Sequence, residues 1–170
     1  MTSNKPGWAR KRSDMSEHDM ELDRWEQSAV DFVAVYQRIP AEQRTESIDG
    51  GWSALQVLQH LLDDEILFST RMRAAIADPG GTILGFDAER YQTNLFYAQV
   101  PDQVLLEGLV SLRSINVGLL RALPNEGWLQ TVMHPEAGDQ SVEQISTMFG
   151  DHIADHRNDL QNAGLNGARR

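Results

Sequence analysis

Two histidines one helical turn apart could hold a metal ion. His152 and His156 are four residues apart in an amphipathic segment that begins at Ser141. Residues at this spacing project from the same face of a helix, so the two imidazole rings can converge on one point. The apolar positions of the segment share that face: Val142, Ile145, Phe149, Ile153 and Leu160. Since imidazole is a ligand for zinc, nickel and ferrous iron, the pair predicts a divalent-metal site.

The same pair has a second interpretation, because two core histidines can be satisfied without a metal. A buried polar group without a partner costs about 1–3 kcal/mol. Asp155, Asp159 or backbone carbonyls elsewhere could supply the partners for these two rings. The spacing by itself is compatible with either interpretation.

A third histidine, His60, lies in a second helical segment. Ser53 followed by Gln56 is typical of a capping box and predicts the start of a helix. The main apolar stripe of this helix contains Leu55, Leu58, Leu62, Ser69, Met72 and Ile76. His60 lies beside that stripe, which argues against a buried core histidine and fits either a ligand or a surface residue.

Four amphipathic patterns predict the long helices that must position these histidines. They cover about residues 22–39, 53–77, 101–123 and 141–162. No segment shows the alternation typical of a strand. The connections 78–100, with a short helix near 87–97, and 124–140 are long enough to cover a ligand. These features predict an all-α fold, a four-helix bundle with two long connections.

The charge distribution separates a tail from the folded domain. The net charge is −10, but residues 1–16 carry +3, which leaves −13 for the remainder. We expect a disordered basic tail at 1–16, the bundle at 17–164 and a disordered C-terminus at 165–170. A domain this acidic repels phosphate, which argues against nucleic-acid binding.

The composition excludes several kinds of site. The chain contains no cysteine, which rules out thiolate metal sites, iron–sulfur clusters and cysteine nucleophiles. A metal must therefore be held by imidazole and oxygen, and a thiol would have to arrive with a substrate. No apolar run approaches the roughly 20 residues of a membrane span, and the N-terminus lacks the apolar core of a signal peptide. We expect a cytoplasmic protein without a membrane partner.

Several motifs together resemble the DinB-like (YfiT-like) superfamily of four-helix metal proteins. Trp52-Ser53 leads into His60-Leu61-Leu62-Asp63-Asp64-Glu65, similar to that family's W-S-x-x-E-x-x-x-H-L-x-D-x-E, with Gln56 in place of the glutamate. Gly127-Trp128 and His134-Pro135-Glu136-Ala137-Gly138 resemble the segment before its last helix, and His152 to His156 match its H-x-x-x-H. The resemblance implies that His60, His152 and His156 hold one divalent metal, such as zinc, nickel or iron.

The resemblance also implies a choice of functions. Characterised relatives include S-transferases and isomerases that use low-molecular-weight thiols such as bacillithiol or mycothiol, so a metal-dependent thiol S-transferase acting on a small molecule is the first hypothesis. A metal-dependent hydrolase is the second and a non-catalytic metal-binding bundle the third. Three imidazoles leave coordination positions open, as in catalytic sites. A basic pocket would favour the transferase, and a carboxylate near the open position would favour the hydrolase.

Individual polar residues near the motifs carry narrower predictions. Asp64 fits equally a carboxylate that orients an imidazole and a solvated surface acid. We expect Asp155, Asp63, Glu65 and Asp151 to be solvated. An arginine partner is the alternative for Glu65, which points toward the apolar stripe.

The remaining candidates lie outside the long helices or at their ends. We expect His134 to stabilise its loop by a hydrogen bond and His18 to be exposed. Arg90 and Tyr91, in the first long connection, could bind a substrate carboxylate.

A homodimer is expected from the resemblance and from the third long helix. This helix carries apolar residues beside its main stripe, which exceed one bundle face: Leu106, Val110, Val117 and Leu120.

Overall fold

The computed structural model describes residues 17–167. The helices are α1 (Glu17–Arg38), α2 (Ala54–Ala77), α3 (Ala88–Asn94), α4 (Asp102–Arg121) and α5 (Val142–Gly167), and the strands are β1 (Thr131–His134) and β2 (Gly138–Ser141). The predicted tail at 1–16 lies outside the described residues. α5 continues through residues 165–167, beyond its predicted end, and residues 168–170 are outside the described range.

The four long helices form the predicted bundle. α1 packs against α4 and α5, and α2 packs against the same two helices. The ring order is therefore α1, α4, α2, α5, so α1 and α2 lie diagonally across the bundle. The α1–α2 and α4–α5 connections cross such a diagonal, whereas the longest connection, between α2 and α4, joins neighbouring helices and contains α3. This order places α2 beside α5, the two helices that carry the histidines.

Both predicted capping boxes are present, and they begin these two helices. At the start of α2, Ser53 Oγ accepts from the Gln56 backbone N–H at 3.2 Å, and Gln56 Oε1 accepts from the Ser53 N–H at 2.9 Å. Ser141 and Gln144 make the same pair of hydrogen bonds before α5, at 3.1 and 2.9 Å. Each box satisfies backbone donors that a helix start leaves open.

Apolar residues of the four long helices form the core, only partly at the predicted positions. In the predicted stripe of α2, Leu55, Leu62 and Ile76 are only partly buried, whereas Leu61 and Phe68, outside that stripe, are buried. Leu22, Trp25, Phe68, Met72, Ile145 and Phe149 belong to one buried cluster, and Phe32, Tyr36, Leu58, Leu61, Leu109 and Ile153 to another. Gly150 allows the close approach of α1 to α5, because a Cβ there would lie 2.0 Å from Trp25 Cε2.

The apolar residues of α4 that suggested a dimer lie inside the bundle. Leu106, Val117 and Leu120 are buried, and Val110 is partly buried. The reason is that α4 contacts both α1 and α2 and needs two apolar faces. The homodimer stays a prediction that depends on the resemblance alone. α4 is also long and apolar enough to cross a membrane, by length and composition only, as bundle helices often are.

The expectation that no strand forms was wrong. β1 and β2 pair antiparallel, with Thr131 opposite Ser141 and His134 opposite Gly138. Each strand has four residues, too few for a clear alternation, and Gly138 takes a φ of +76° beside the turn. β1 also pairs with the first connection, where Ile83 N–H donates to the Met133 carbonyl at 3.0 Å. The hairpin thereby ties residues 81–83 to the bundle.

Candidate metal centre

Three histidines from α2 and α5 converge at one point. His60 Nε2 and His152 Nε2 lie 3.0 Å apart. The His156 ring centroid is 5.2 Å from that of His60 and 4.6 Å from that of His152. One nitrogen of each ring lies within 4.8 Å of the others. The bundle therefore brings together the three histidines whose convergence the family resemblance implied.

His60 is more deeply buried than its position beside the stripe suggested. It is 8% exposed, because α2 lies between α4 and α5 and is covered on more than one face. Trp52 contacts its ring edge-on at a centroid distance of 4.9 Å, and Phe86 is stacked parallel to it at 6.3 Å. Phe86 comes from the first long connection and had no periodic signal in the sequence. These aromatic neighbours hold the imidazole in place and limit its contact with water.

A carboxylate completes the cluster. Asp64, one turn after His60, places Oδ2 3.2 Å from His60 Nε2 and 2.8 Å from His152 Nε2. Of its two interpretations, the surface acid is excluded, since Asp64 is 7% exposed. It contacts the same ring nitrogens that converge, so this carboxylate lies at the site itself.

Burial keeps the imidazoles in the form that binds metals. Burial lowers the pKa of His60, with His152 adding to the effect and Asp64 opposing it. For His156, burial and the two neighbouring histidines lower the pKa to about 4. Both rings are thus neutral near pH 7, as coordination requires.

The donor set fits a divalent metal. Two nitrogens held about 2.0–2.1 Å from a tetrahedral zinc lie about 3.4 Å apart, close to the 3.0 Å between His60 and His152. His60 Nδ1 is buried and has no hydrogen-bond partner among the described residues. Three imidazoles beside one carboxylate suit zinc, nickel or ferrous iron.

A cavity of about 550 Å³ adjoins the centre, within the size range of small-molecule sites. Its lining consists of Gly85, Phe86, Asp87, Arg90, Tyr91, Asn94, Leu95 and Glu136. Phe86 both lines this cavity and stacks on the His60 ring. Arg90 and Tyr91, the candidates for a substrate carboxylate, both line it.

The other acidic candidates lie apart from the ring nitrogens that converge. Asp155 is exposed as expected, and Asp159 Oδ2 lies 3.8 Å from His156 Nδ1. Asp151 forms an ion pair with Arg24.

Two further acids of α2, Asp63 and Glu65, are buried, both against the expectation that they are solvated. Glu65 lies 2.8 Å from Arg113, so the arginine partner that was its alternative interpretation is the one present. Asp63 was expected to be solvated, which was wrong: it is 5% exposed and accepts a hydrogen bond from the Tyr97 hydroxyl. The cause is the turn after α3, which places Tyr97 over α2.

The remaining two histidines have structural contacts. His134 Nδ1 accepts from the backbone N–H groups of Glu136 and Ala137, both at 3.2 Å, so it stabilises its turn as expected. His18 was expected to be exposed, but its ring stacks on Trp128 at 4.1 Å and is half-buried.

Comparison with known proteins places this geometry in context. A relative from Oceanobacillus iheyensis, named "Putative metal-dependent hydrolase", is 24% identical to this chain over 140 residues. The match covers 79% of this chain and 81% of the relative. A relative of the same description from Bacillus mycoides is 26% identical over 140 residues, covering 79% and 80%.

The fold also matches a solved structure, YfiT from Bacillus subtilis, with a TM-score of 0.83 over 94% of both chains at 18% identity. That protein is described as "a probable metal-dependent hydrolase with an unusual four-helix bundle topology". The family model of the DinB superfamily matches residues 24–160. With its helix order, its histidines and this match across most of its length, the chain belongs to the DinB superfamily.

Proposed function

We propose that this protein is a metal-dependent hydrolase whose divalent ion is held by His60, His152 and His156. The observation that carries the proposal is the convergence of three histidine nitrogens within 4.8 Å beside the Asp64 carboxylate. The names of relatives 24–26% identical to the chain support the same class of reaction.

A metal ion with an open coordination position supplies a Lewis acid and lowers the pKa of a bound water to about 7. Asp64 is placed to accept the proton, because its Oδ2 lies within 3.2 Å of two of the proposed ligand atoms. Trp52 and Phe86 flank His60 and exclude bulk water from that side. The adjoining cavity provides room for a small-molecule substrate.

A thiol S-transferase is the second candidate function. The charged residues that line the cavity favour the hydrolase over it. Its lining contains Arg90 but also Asp87 and Glu136, so it is not the basic pocket expected for an anionic thiol cofactor. A carboxylate at the ligand atoms, expected for the hydrolase, is present in Asp64.

The test measures hydrolysis of 4-nitrophenyl acetate by zinc-, nickel- and iron-loaded protein, with and without chelator. We expect metal-dependent turnover that Asp64→Asn lowers about 10²–10⁴-fold in kcat while bound metal is retained. The matched control is Asp155→Asn, an exposed acid between the two histidines of α5, which should keep full activity.

Turnover that survives chelation, or an Asp64→Asn variant with unchanged kcat, would contradict the hydrolase. A metal-loaded protein that turns over an electrophile only after bacillithiol or mycothiol is added would favour the transferase instead.

A further inference from the structure

Among the described residues, one buried arginine has a charge that no carboxylate pairs. Arg71, on α2, is 6% exposed. Its Nη2 donates to the Leu84 carbonyl at 2.9 Å, and its Nε is buried without a hydrogen-bond partner in the described part of the chain. No carboxylate of residues 17–167 lies within ion-pair distance of it. A buried charge without a counter-ion is costly, so such a group indicates a missing partner.

A second buried arginine shows what a structural role looks like in this bundle. Arg113, 2% exposed, also has a buried Nε without a partner, but its Nη2 lies 2.8 Å from Glu65 Oε2. Its charge is therefore paired within the core. Arg71 differs in the one respect that matters for an anion, because its charge is not paired.

The surroundings of Arg71 connect it to the metal centre. It lies two helical turns after Asp64, and residues seven apart share a helix face. Its guanidinium lies 5.9 Å from the ring centre of Phe149, one turn before His152 on α5. Burial lowers the pKa of Arg71, while the nearby Asp64 and Tyr91 raise it.

The bond to Leu84 joins the arginine to the cavity. Leu84 precedes Gly85 and Phe86, which line the cavity, and Tyr91 lines it too. Arg71 is therefore hydrogen-bonded to the segment that leads into the cavity lining, although it is not itself a lining residue.

We propose that Arg71 binds an oxyanion group of the substrate, a carboxylate or a phosphate, next to the metal centre. The inference rests on the proposed function, whose substrate class it narrows to small anionic molecules. A guanidinium suits this task, because its planar set of five N–H donors matches two oxygens of a carboxylate or phosphate at once. Asp64 and the histidines would then act on the part of the molecule beside that group.

The first test uses metal-free protein, so that an anion cannot bind to metal. Inorganic phosphate and acetate are titrated by calorimetry in a non-coordinating buffer, and the Arg71 Nε–H resonance is followed by NMR. We expect a saturable shift of that resonance and a loss of affinity of about tenfold or more in Arg71→Met. Arg71→Lys, which keeps the charge but not the planar donors, should fall between. Arg121→Met, at a surface arginine of α4, is the control and should bind like the wild type.

Thermal unfolding separates this role from a structural one. Arg71→Met removes an unpaired buried charge, so we expect its Tm to equal or exceed that of the wild type without anion. Phosphate and acetate should raise the Tm of the wild type and not of the variant. Equal anion affinity in Arg71→Met, no binding of either anion by the wild type, or a lowered Tm in the variant would each overturn the proposal.

The outcome is independent of whether the protein hydrolyses esters. If metal-free protein binds anions through Arg71 but metal-loaded protein has no hydrolase activity, the proposed function fails and the oxyanion site stands. If hydrolysis is metal-dependent and Arg71→Met leaves anion binding unchanged, the hydrolase stands and the oxyanion site fails.

Discussion

Two neighbouring acids on α2 belong to opposite kinds of cluster. Glu65, 1% exposed, accepts from Asn116 Nδ2 at 2.7 Å and lies 2.8 Å from Arg113, so both carboxylate oxygens are used within the core. Asp64 instead contacts two histidine nitrogens that also converge on each other. The first cluster has a counter-ion for its charge, and the second brings donors together around a single point.

The difference separates structure from function in one helix. A buried ion pair satisfies its own charges and fixes how two helices pack. Three converging imidazoles beside a carboxylate, and an arginine with no carboxylate partner among the described residues, instead leave polar groups available to a ligand. The Glu65 cluster therefore joins α2 to α4, and the Asp64 cluster is left for a ligand.

The largest effect on stability is expected from breaking the Glu65 pair. Glu65→Ala leaves Arg113 buried without its counter-ion, which should lower the free energy of unfolding by about 3–5 kcal/mol. Denaturant unfolding followed by circular dichroism measures this change. Glu46→Ala, at an exposed acid in the α1–α2 connection, is the control and should change stability by less than about 0.5 kcal/mol.

A double variant sharpens the interpretation of that loss. Glu65→Leu with Arg113→Met removes both charges, and it should recover much of the stability that either single change loses. A double variant no more stable than the single ones would show that the pair is not the cause.

A smaller effect is expected from removing the metal, because the bundle has its own core. Metal at a hundredfold excess over its dissociation constant should add about 2.7 kcal/mol to the free energy of unfolding. After chelation, the protein should keep its helical circular dichroism and melt cooperatively at a lower temperature. A non-cooperative state at room temperature would mean that the site is structural, as in a zinc finger.

The smallest effect belongs to a half-exposed ion pair away from both clusters. Asp102 lies 2.7 Å from Arg44 and accepts from the Tyr36 hydroxyl at 3.2 Å. Burial opposes ionisation of Asp102, but these hydrogen bonds and the Arg44 charge together lower its pKa. Because the pKa of Asp102 is lower in the folded state, its ionised carboxylate stabilises the fold at pH values above the unfolded-state pKa near 4. This stabilisation is lost as the pH falls through the folded-state pKa.

Asp102→Asn should therefore cost less than about 1 kcal/mol at pH 7 and flatten the stability profile below pH 4. Chemical unfolding between pH 2 and 7 measures both quantities. An equal loss of stability at every pH would show that the carboxylate charge has no role.

Much of this arrangement could be predicted from local patterns. The capping boxes and apolar stripes predict the four long helices, and the spacing of His152 and His156 places two donors on one face. Joining them to His60, 92 positions away in the chain, required the family resemblance. Periodicity shows which face of a helix is buried but not which helix covers it.

The rest depends on tertiary contacts without a sequence signal. Phe86 and Tyr97 come from the connection between α2 and α4, which has no periodic pattern. The contact of Phe86 with His60 and that of Tyr97 with Asp63 could therefore not be predicted. The burial of Arg71 also depends on where the connection after α2 lies. The diagonal placement of α1 and α2 explains why α2 is covered on several faces, and why a single stripe underestimated the burial of His60.

The most direct test of the account is the metal content of four alanine variants, measured by elemental analysis and competition titration. His60→Ala, His152→Ala and His156→Ala should each lower metal affinity by more than about tenfold. His134→Ala, which changes a histidine that stabilises a turn, should bind one divalent ion per chain like the wild type. If the first three variants keep full stoichiometry with unchanged affinity, the proposed metal centre is wrong.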